Sequence, residues 1–368
     1  MSYFATVEIN KSILENNIKI IKSITNNKLL AILKANAYGH SLVEMSRLTE
    51  KYGVDAIGVA TVEEGIIVRD AGVKIPVLVL FKHYKCEAET LCRYDLTPVI
   101  SDDESLEIYH NYLEKNNKKM SVYIKLDTGL NRMGVKLDGL LDLAKKVLSY
   151  NTLILEGIST HYSYSDGGED NIEAKEFTLG QIEVFNKGIQ LLKENNINLN
   201  TSHTSNSAAI LSYKNSHFDM VRAGILLYGY PYTGFGDNGI KPILEYKTKV
   251  ILVKKAYKGE IVSYGCSYKF DKDTKIAVLP VGYADGIPRA LSNNWEVKIN
   301  GKYYPVRGRV CMDTMMVEVF DDDVKVEDDV LIYGNDERVN LYNIAKNANT
   351  SLHEILVRIG DRVKRVFK

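Results

Sequence analysis

Short apolar runs alternate with longer amphipathic segments between about residues 29 and 229. The runs are LLAILK (29–34), AIGVA (56–60), PVLVL (76–80), TPVI (97–100), SVYIKLD (121–127), LEGIST (155–160), NLNTSHT (198–204) and MVRAGILLYG (220–229). Between them, stretches such as SLVEMSRLTEKYG, TVEEGIIVRDAG, DGLLDLAKKVLSY and FTLGQIEVFNKGIQLLKENN place apolar residues three and four apart, the spacing of a helix with one buried face. SILENNIKIIKSI supplies a further helix ahead of the first run. Eight strands alternating with eight helices predict a TIM-type (β/α)8 barrel rather than an open sheet, placed over residues 10–236.

The texture changes after about residue 240. KTKVILVKK, EIVSYGCSY, TKIAVLPVGY, WEVKI, KYYPVRGRV, MMVEVF and DVLIYG are short strand-like runs without helices between them. Asn300-Gly301 separates two alternating runs and signals a two-residue hairpin turn. Residues 237–368 are therefore expected to form a separate, mostly-β domain, with LHEILVRIGDRV as a short closing helix.

Charge narrows the ligand class. Lys plus Arg and Asp plus Glu both number 47 in the 368 residues, so nothing draws the chain toward nucleic acid or an acidic membrane. A small neutral or zwitterionic ligand fits better. The start MSYFATVEINK lacks the apolar core of a secretory signal, and no apolar run approaches the roughly 20 residues of a membrane span; a cytoplasmic protein is expected. Cys86, Cys92, Cys266 and Cys311 form no C-x-x-C pair and read as reduced thiols, each expected to be buried. No metal is expected, since neither HExxH nor a ligand cluster occurs.

In such a barrel the chemistry gathers where strands end, so the polar residues after each run are the candidates. Lys34 closes the first run. Desolvation there would lower its amine pKa and make it a nucleophile toward aldehydes; the competing reading is a solvated strand-end lysine. His203-Thr204-Ser205-Asn206-Ser207 runs into a helix start rich in capping groups, and Arg222-Ala223-Gly224-Ile225 follows on the eighth run, where these barrels often hold phosphate. Ordinary helix capping explains the same residues. Arg132, after the fifth run, could grip a carboxylate through two parallel hydrogen bonds or form a structural salt bridge. Lys125 and His161 complete the set.

Taken in order, LKANAYGHS, KLDTGLNRMG, STHYSYSD, HTSNSAA, VRAGILLYG, VSYGCSY, LPVGYADGIPR and GRVCMDTMMVEV resemble the motifs of the alanine racemases over nearly the whole chain. The resemblance implies that strand 1–9 joins the β domain and that the protein is a homodimer with shared active sites. It implies racemisation of alanine, with D-alanine supplied to cell-wall peptidoglycan, and a serine or broader amino-acid racemase as the alternative. Lys34 would carry pyridoxal 5'-phosphate; Tyr38, Ser207 and the backbone N–H groups of Gly224 and Ile225 would hold its phosphate. Arg222 would face the ring nitrogen and keep it unprotonated, because a guanidinium retains its own proton.

Racemisation needs acid-base groups on opposite faces of the α-carbon. By the resemblance these are Lys34 and Tyr264, the latter reaching the partner's site, with His161, Arg222 and His203 as the supporting network. Arg132 and the Met312 N–H would bind the substrate carboxylate, and Lys125 matches a lysine often carbamylated in the family. Tyr283, Asp166, Arg289 and His353 would line the entrance. His353 stands where the family usually has tyrosine, which suggests a roomier pocket and some tolerance of serine. Two rivals fit less well. Cofactor-carrying barrels of the homeostasis type lack the β domain, and the related decarboxylases use a glycine-rich phosphate stretch that is absent here.

Overall fold

The computed structural model describes residues 5–168, 170–232 and 238–368. The expected domain boundary at 236/237 and residues 1–4 of the expected opening strand lie outside them.

Eight parallel strands close a barrel in order: β2 (Lys28–Ile32), β3 (Ala56–Val59), β4 (Val77–Val79), β5 (Thr97–Ile100), β6 (Met120–Lys125), β7 (Leu153–Ser159), β8 (Thr201–His203) and β9 (Met220–Ala223), with β9 pairing back onto β2. Each coincides with one of the eight apolar runs. Strands covered by helices outside and by facing side chains inside are buried on both sides, so they read as nearly continuous apolar stretches. Helices follow each strand through β8, including 62–70, 106–115, 137–148 and 172–194. Residues 15–37 and 41–240 make up this compact unit.

Residues up to 14, 38–40 and from 241 onward form the second unit. Its main sheet has the order β16 (Lys302–Pro305), β15 (Glu296–Ile299), β18 (Asp329–Tyr333), β10 (Leu244–Lys249), β1 (Ala5–Ile9), β19 (Lys364–Phe367). A three-stranded sheet orders β11 (Leu252–Ala256), β14 (Thr274–Leu279) and β17 (Met315–Glu318), and β12 (Ile261–Val262) pairs with β13 (Tyr268–Lys269). Asn300 and Gly301 both have positive φ, 50° and 82°, and join Ile299 to Lys302 as a two-residue hairpin.

Three expectations need correction. LHEILVRIGDRV is helical only over Leu352–Val357, and the chain then closes on strand β19, which runs parallel to β1. The first run was expected to carry Lys34 on its strand; β2 ends at Ile32. Of the four thiols, Cys92 is buried, Cys311 is half-buried, and Cys86 and Cys266 are exposed because they sit on surface turns. Among the described residues no helix is long and apolar enough to cross a membrane.

Candidate active site

Lys34 opens an unusual turn. Ala35, Asn36 and Ala37 have φ near 53° and ψ between 44° and 55°, and Tyr38 follows at φ 52°. That is a left-handed helical turn, costing roughly 1–2 kcal/mol per non-glycine residue. Hydrogen bonds hold it: the Glu64 carboxylate accepts the Ala35 N–H at 2.6 Å and the Ala60 N–H at 2.8 Å, and the Asn36 side chain accepts the Leu42 N–H at 2.7 Å. The amine of Lys34 is half-buried. Burial first, then the fields of Arg132 and Arg222, hold it below the ordinary lysine range, with Glu64 pulling the other way.

At the ends of β7, β8 and β9 lies a buried polar row. Arg222 donates to His203 Nδ1 at 3.1 Å, to the His203 carbonyl at 3.1 Å, to His161 Nδ1 at 3.0 Å and to the Thr204 carbonyl at 2.6 Å. A guanidinium only donates, so both Nδ1 atoms accept and each neutral ring carries its proton on Nε2. Burial, then the Arg222 charge, keeps both imidazoles well below the ordinary histidine range. Burial also brings Arg222 down to about 10, which leaves it charged at neutral pH. Gln181 braces the row, donating to Thr128 at 3.1 Å and to the His161 carbonyl at 3.3 Å.

This row sets a pH dependence of stability. The unfolded chain takes up protons near 6.5 that folded His161 and His203 refuse, so stability is full above that pH and falls below it. The loss is about 1.4 kcal/mol per pH unit for each such histidine. His83, brought down to about 4 by burial, contributes between 6.5 and 4. Denaturant unfolding at pH 5.0 should therefore give an unfolding free energy several kcal/mol below that at pH 7.5. Equal values would show that these imidazoles protonate freely in the folded chain.

Ser207 begins the helix Ser207–Ser212, whose preceding Asn206 caps it by accepting the Ala209 N–H at 3.0 Å. The buried Ser207 hydroxyl accepts the N–H of Gly224 at 2.9 Å and of Leu226 at 3.2 Å. Among the described residues the Ile225 N–H between them makes no hydrogen bond. The strand β9 stops at Ala223, and the backbone turns its amides toward Ser207, a concave group of donors suited to an anion.

Arg132 is carried by a tight loop after β6. The Asp127 carboxylate accepts the N–H groups of Gly129 at 3.1 Å and Asn131 at 3.0 Å and the Lys136 ammonium at 2.7 Å. Arg132 is exposed and, among the described residues, makes no ion pair or hydrogen bond. Lys125, the last residue of β6, has its amine held far below the ordinary range by burial and then by Arg222 and Arg132. Phe81, one residue past the PVLVL run, belongs to this group and was missed: the Lys34 amine and the Arg132 guanidinium both lie against its ring. Its place just past an apolar strand is the signal in the sequence, but an apolar ring there reads as core rather than as part of a site.

In the other unit, Tyr264, Tyr283 and Met312 stand on three linked loops. The Ser263 hydroxyl donates to the Arg309 carbonyl at 2.7 Å, and the N–H groups of Tyr283 and Ala284 donate to the Cys311 and Met312 carbonyls, each at 3.0 Å. A Cβ on Gly282 would sit 2.2 Å from the Cys311 carbonyl oxygen, and one on Gly265, at φ 71°, would sit 2.6 Å from Arg309 Cζ. Only glycine lets these loops approach so closely. The three large side chains are exposed by 71%, 45% and 53%. Arg289 is exposed beside them in sequence, on a short turn at 289–291. The rings of Tyr38 and His353 lie 5.6 Å apart, centroid to centroid. Asp166 is exposed on a turn of the barrel unit at 165–167.

Comparison with known proteins gives one answer along the whole chain. The alanine racemase N-terminal domain matches residues 9–231 and the alanine racemase C-terminal domain residues 243–367. The alanine racemase of Halothermothrix orenii is 37% identical over 368 residues, covering 98% of this chain and 96% of that protein. The solved alanine racemase of Clostridium difficile 630 is 32% identical with a TM-score of 0.93, covering 100% of this chain and 96% of its own. That of Bacillus anthracis, solved with bound L-Ala-P, is 28% identical with a TM-score of 0.90 over 100% and 96% of the two chains.

Proposed function

Because the chain belongs to the alanine racemase family, and so interconverts L-alanine and D-alanine, we propose that it does so with pyridoxal 5'-phosphate carried on Lys34 and with Lys34 and Tyr264 as its two bases. The buried row His161, Arg222, His203 is the observation that carries this reading, since it fixes one cation and two neutral imidazoles at a barrel mouth that also holds the depressed Lys34 amine. When bound, pyridoxal phosphate supplies the electron-withdrawing ring that acidifies the substrate α-hydrogen. The Ser207 hydroxyl and the donors at 224–226 would hold its phosphate, with Tyr38 as a further ligand, and Arg222, which stays charged, would meet the ring nitrogen.

The remaining roles belong to this chain's own groups. Lys34, with its lowered proton affinity, can be neutral enough to attack an aldehyde and to take the α-proton from one face. Tyr264 serves the opposite face. His161, committed through Nδ1 to Arg222, has an Nε2–H with which to steady the Tyr264 oxygen once its proton has left. Arg132 and the Met312 N–H grip the substrate carboxylate. The depressed Lys125 amine is suited to add carbon dioxide: a nitrogen–carbon bond forms, one proton leaves to solvent, and the new anion faces Arg132. A carbamate carbon signal after incubation with 13C-bicarbonate tests that step, and its absence from the active enzyme would reject it.

Exposure of Tyr264, Tyr283 and Met312 on linked loops supports a homodimer in which each subunit lends Tyr264 to its partner's site. Asp166, Arg289, Tyr283 and His353 are assigned to the entrance. The product fits a cytoplasmic supply of D-alanine for peptidoglycan. The test is direct: L-alanine should yield the racemic mixture by chiral chromatography, and borohydride should fix the yellow chromophore to Lys34. A label on any other lysine overturns the assignment.

His353 supports a second reading, in which serine is also accepted. Imidazole is shorter than phenol, and one heavy atom of pocket space changes discrimination by roughly 1–3 kcal/mol. His353→Tyr should lower kcat/KM for L-serine about tenfold relative to L-alanine. An unchanged ratio would show that a neighbouring side chain already fills the space.

A further inference from the structure

Phe81 follows strand β4, and the Lys34 amine and the Arg132 guanidinium share its ring. Lys34 Nζ lies 5.2 Å from the ring centroid and Arg132 Cζ lies 5.4 Å from it. Neither side chain makes a hydrogen bond or ion pair among the described residues. An aromatic ring attracts a cation through its negative face and uses none of the cation's N–H donors. Contact with the ring therefore leaves the guanidinium fork available to a substrate carboxylate.

We propose that Phe81 is a positioning residue for this reaction: its ring holds the Arg132 guanidinium, and with it the substrate carboxylate, at a set separation from the Lys34 amine. The inference rests on the assignment of Arg132 and Lys34 made above. Among the described residues Arg132 pairs with no acidic side chain, so the ring adds its own hold to that of a carbamate at Lys125. The Asp127 loop fixes the backbone of the segment, and the ring fixes the far end of the side chain.

The test uses the holoenzyme in four forms: wild type, Phe81→Leu, Phe81→Met and Phe81→Tyr. Leucine and methionine keep an apolar wall without a π face, whereas tyrosine keeps the face. Expected are KM values for L- and D-alanine raised roughly threefold to thirtyfold in the first two variants, with kcat within about twofold and near-normal KM in Phe81→Tyr. Calorimetric titration with propionate, which offers a carboxylate but no amine, should show affinity lowered by a similar factor. In an Arg132→Ala background, Phe81→Leu should add nothing further.

Unchanged KM and propionate affinity in both non-aromatic variants would overturn the proposal. An equal loss in Phe81→Tyr would overturn it too, by showing that packing rather than the aromatic face matters. If Arg132→Ala itself leaves propionate binding intact, the carboxylate assignment falls and this inference falls with it, a result distinct from failure at Phe81 alone.

Discussion

Tyr264→Phe should reduce racemisation by about two to four orders of magnitude, the usual contribution of a positioned proton-transfer group, while the enzyme stays folded and yellow. The substitution removes one oxygen from a side chain that is 71% exposed in the single chain, so little packing is lost. The loop conformation depends on Gly265 and on the Ser263 hydrogen bond to Arg309, neither of which changes. On the proposed assignment, what disappears is the proton acceptor and donor on one face of the α-carbon. In deuterated water the α-hydrogen of D-alanine should still exchange through Lys34, whereas that of L-alanine should not. Proton NMR reads exchange and circular dichroism reads inversion. Equal loss of exchange from both enantiomers would contradict a two-base scheme.

Lys34→Ala should be more damaging, at least roughly four orders of magnitude, because the proposed assignment makes one side chain both the covalent anchor and the other base. Borohydride should then fix no cofactor to the chain. Mixing this variant with Tyr264→Phe examines whether sites are shared. In a hybrid dimer with shared sites, one site has both defects and the other has none. Random exchange between equal amounts of the two inactive proteins would thus restore about a quarter of wild-type activity. No recovery, with hybrid formation verified by native mass spectrometry, would mean that each site is built from one chain.

Much of the barrel was legible because a parallel strand buried on both sides needs no polar alternation. AIGV and TPVI are read off directly. The closing strand KRVF was not, since its alternation is short and its charged residues belong to an edge; nor was the polar-looking helix LYNIAKNA, whose cap at Asn340 is visible only once the chain turns there. At the site, Arg222, His203 and His161 followed from position at strand ends plus resemblance to a family. The setting of Lys34 did not. Residue pattern reports which face is apolar but not which way a turn is wound, and in Ala-Asn-Ala-Tyr only the asparagine hints at a left-handed backbone. Phe81 escaped because its role comes from a π face rather than from a titratable atom.

The left-handed turn after Lys34 also limits what evolution can write there. Ala35 and Asn36 are exposed, and exposed positions ordinarily drift with little penalty. Here a β-branched residue would meet its own backbone at φ near 53°, so the tolerated alphabet contracts toward glycine, asparagine, aspartate and alanine. Two surface positions thereby become as restricted as core positions, through chain handedness rather than through contact. Substitutions should be tolerated around this corner more readily than within it, and the place of Lys34 is held by the hand of the backbone rather than by side-chain contacts.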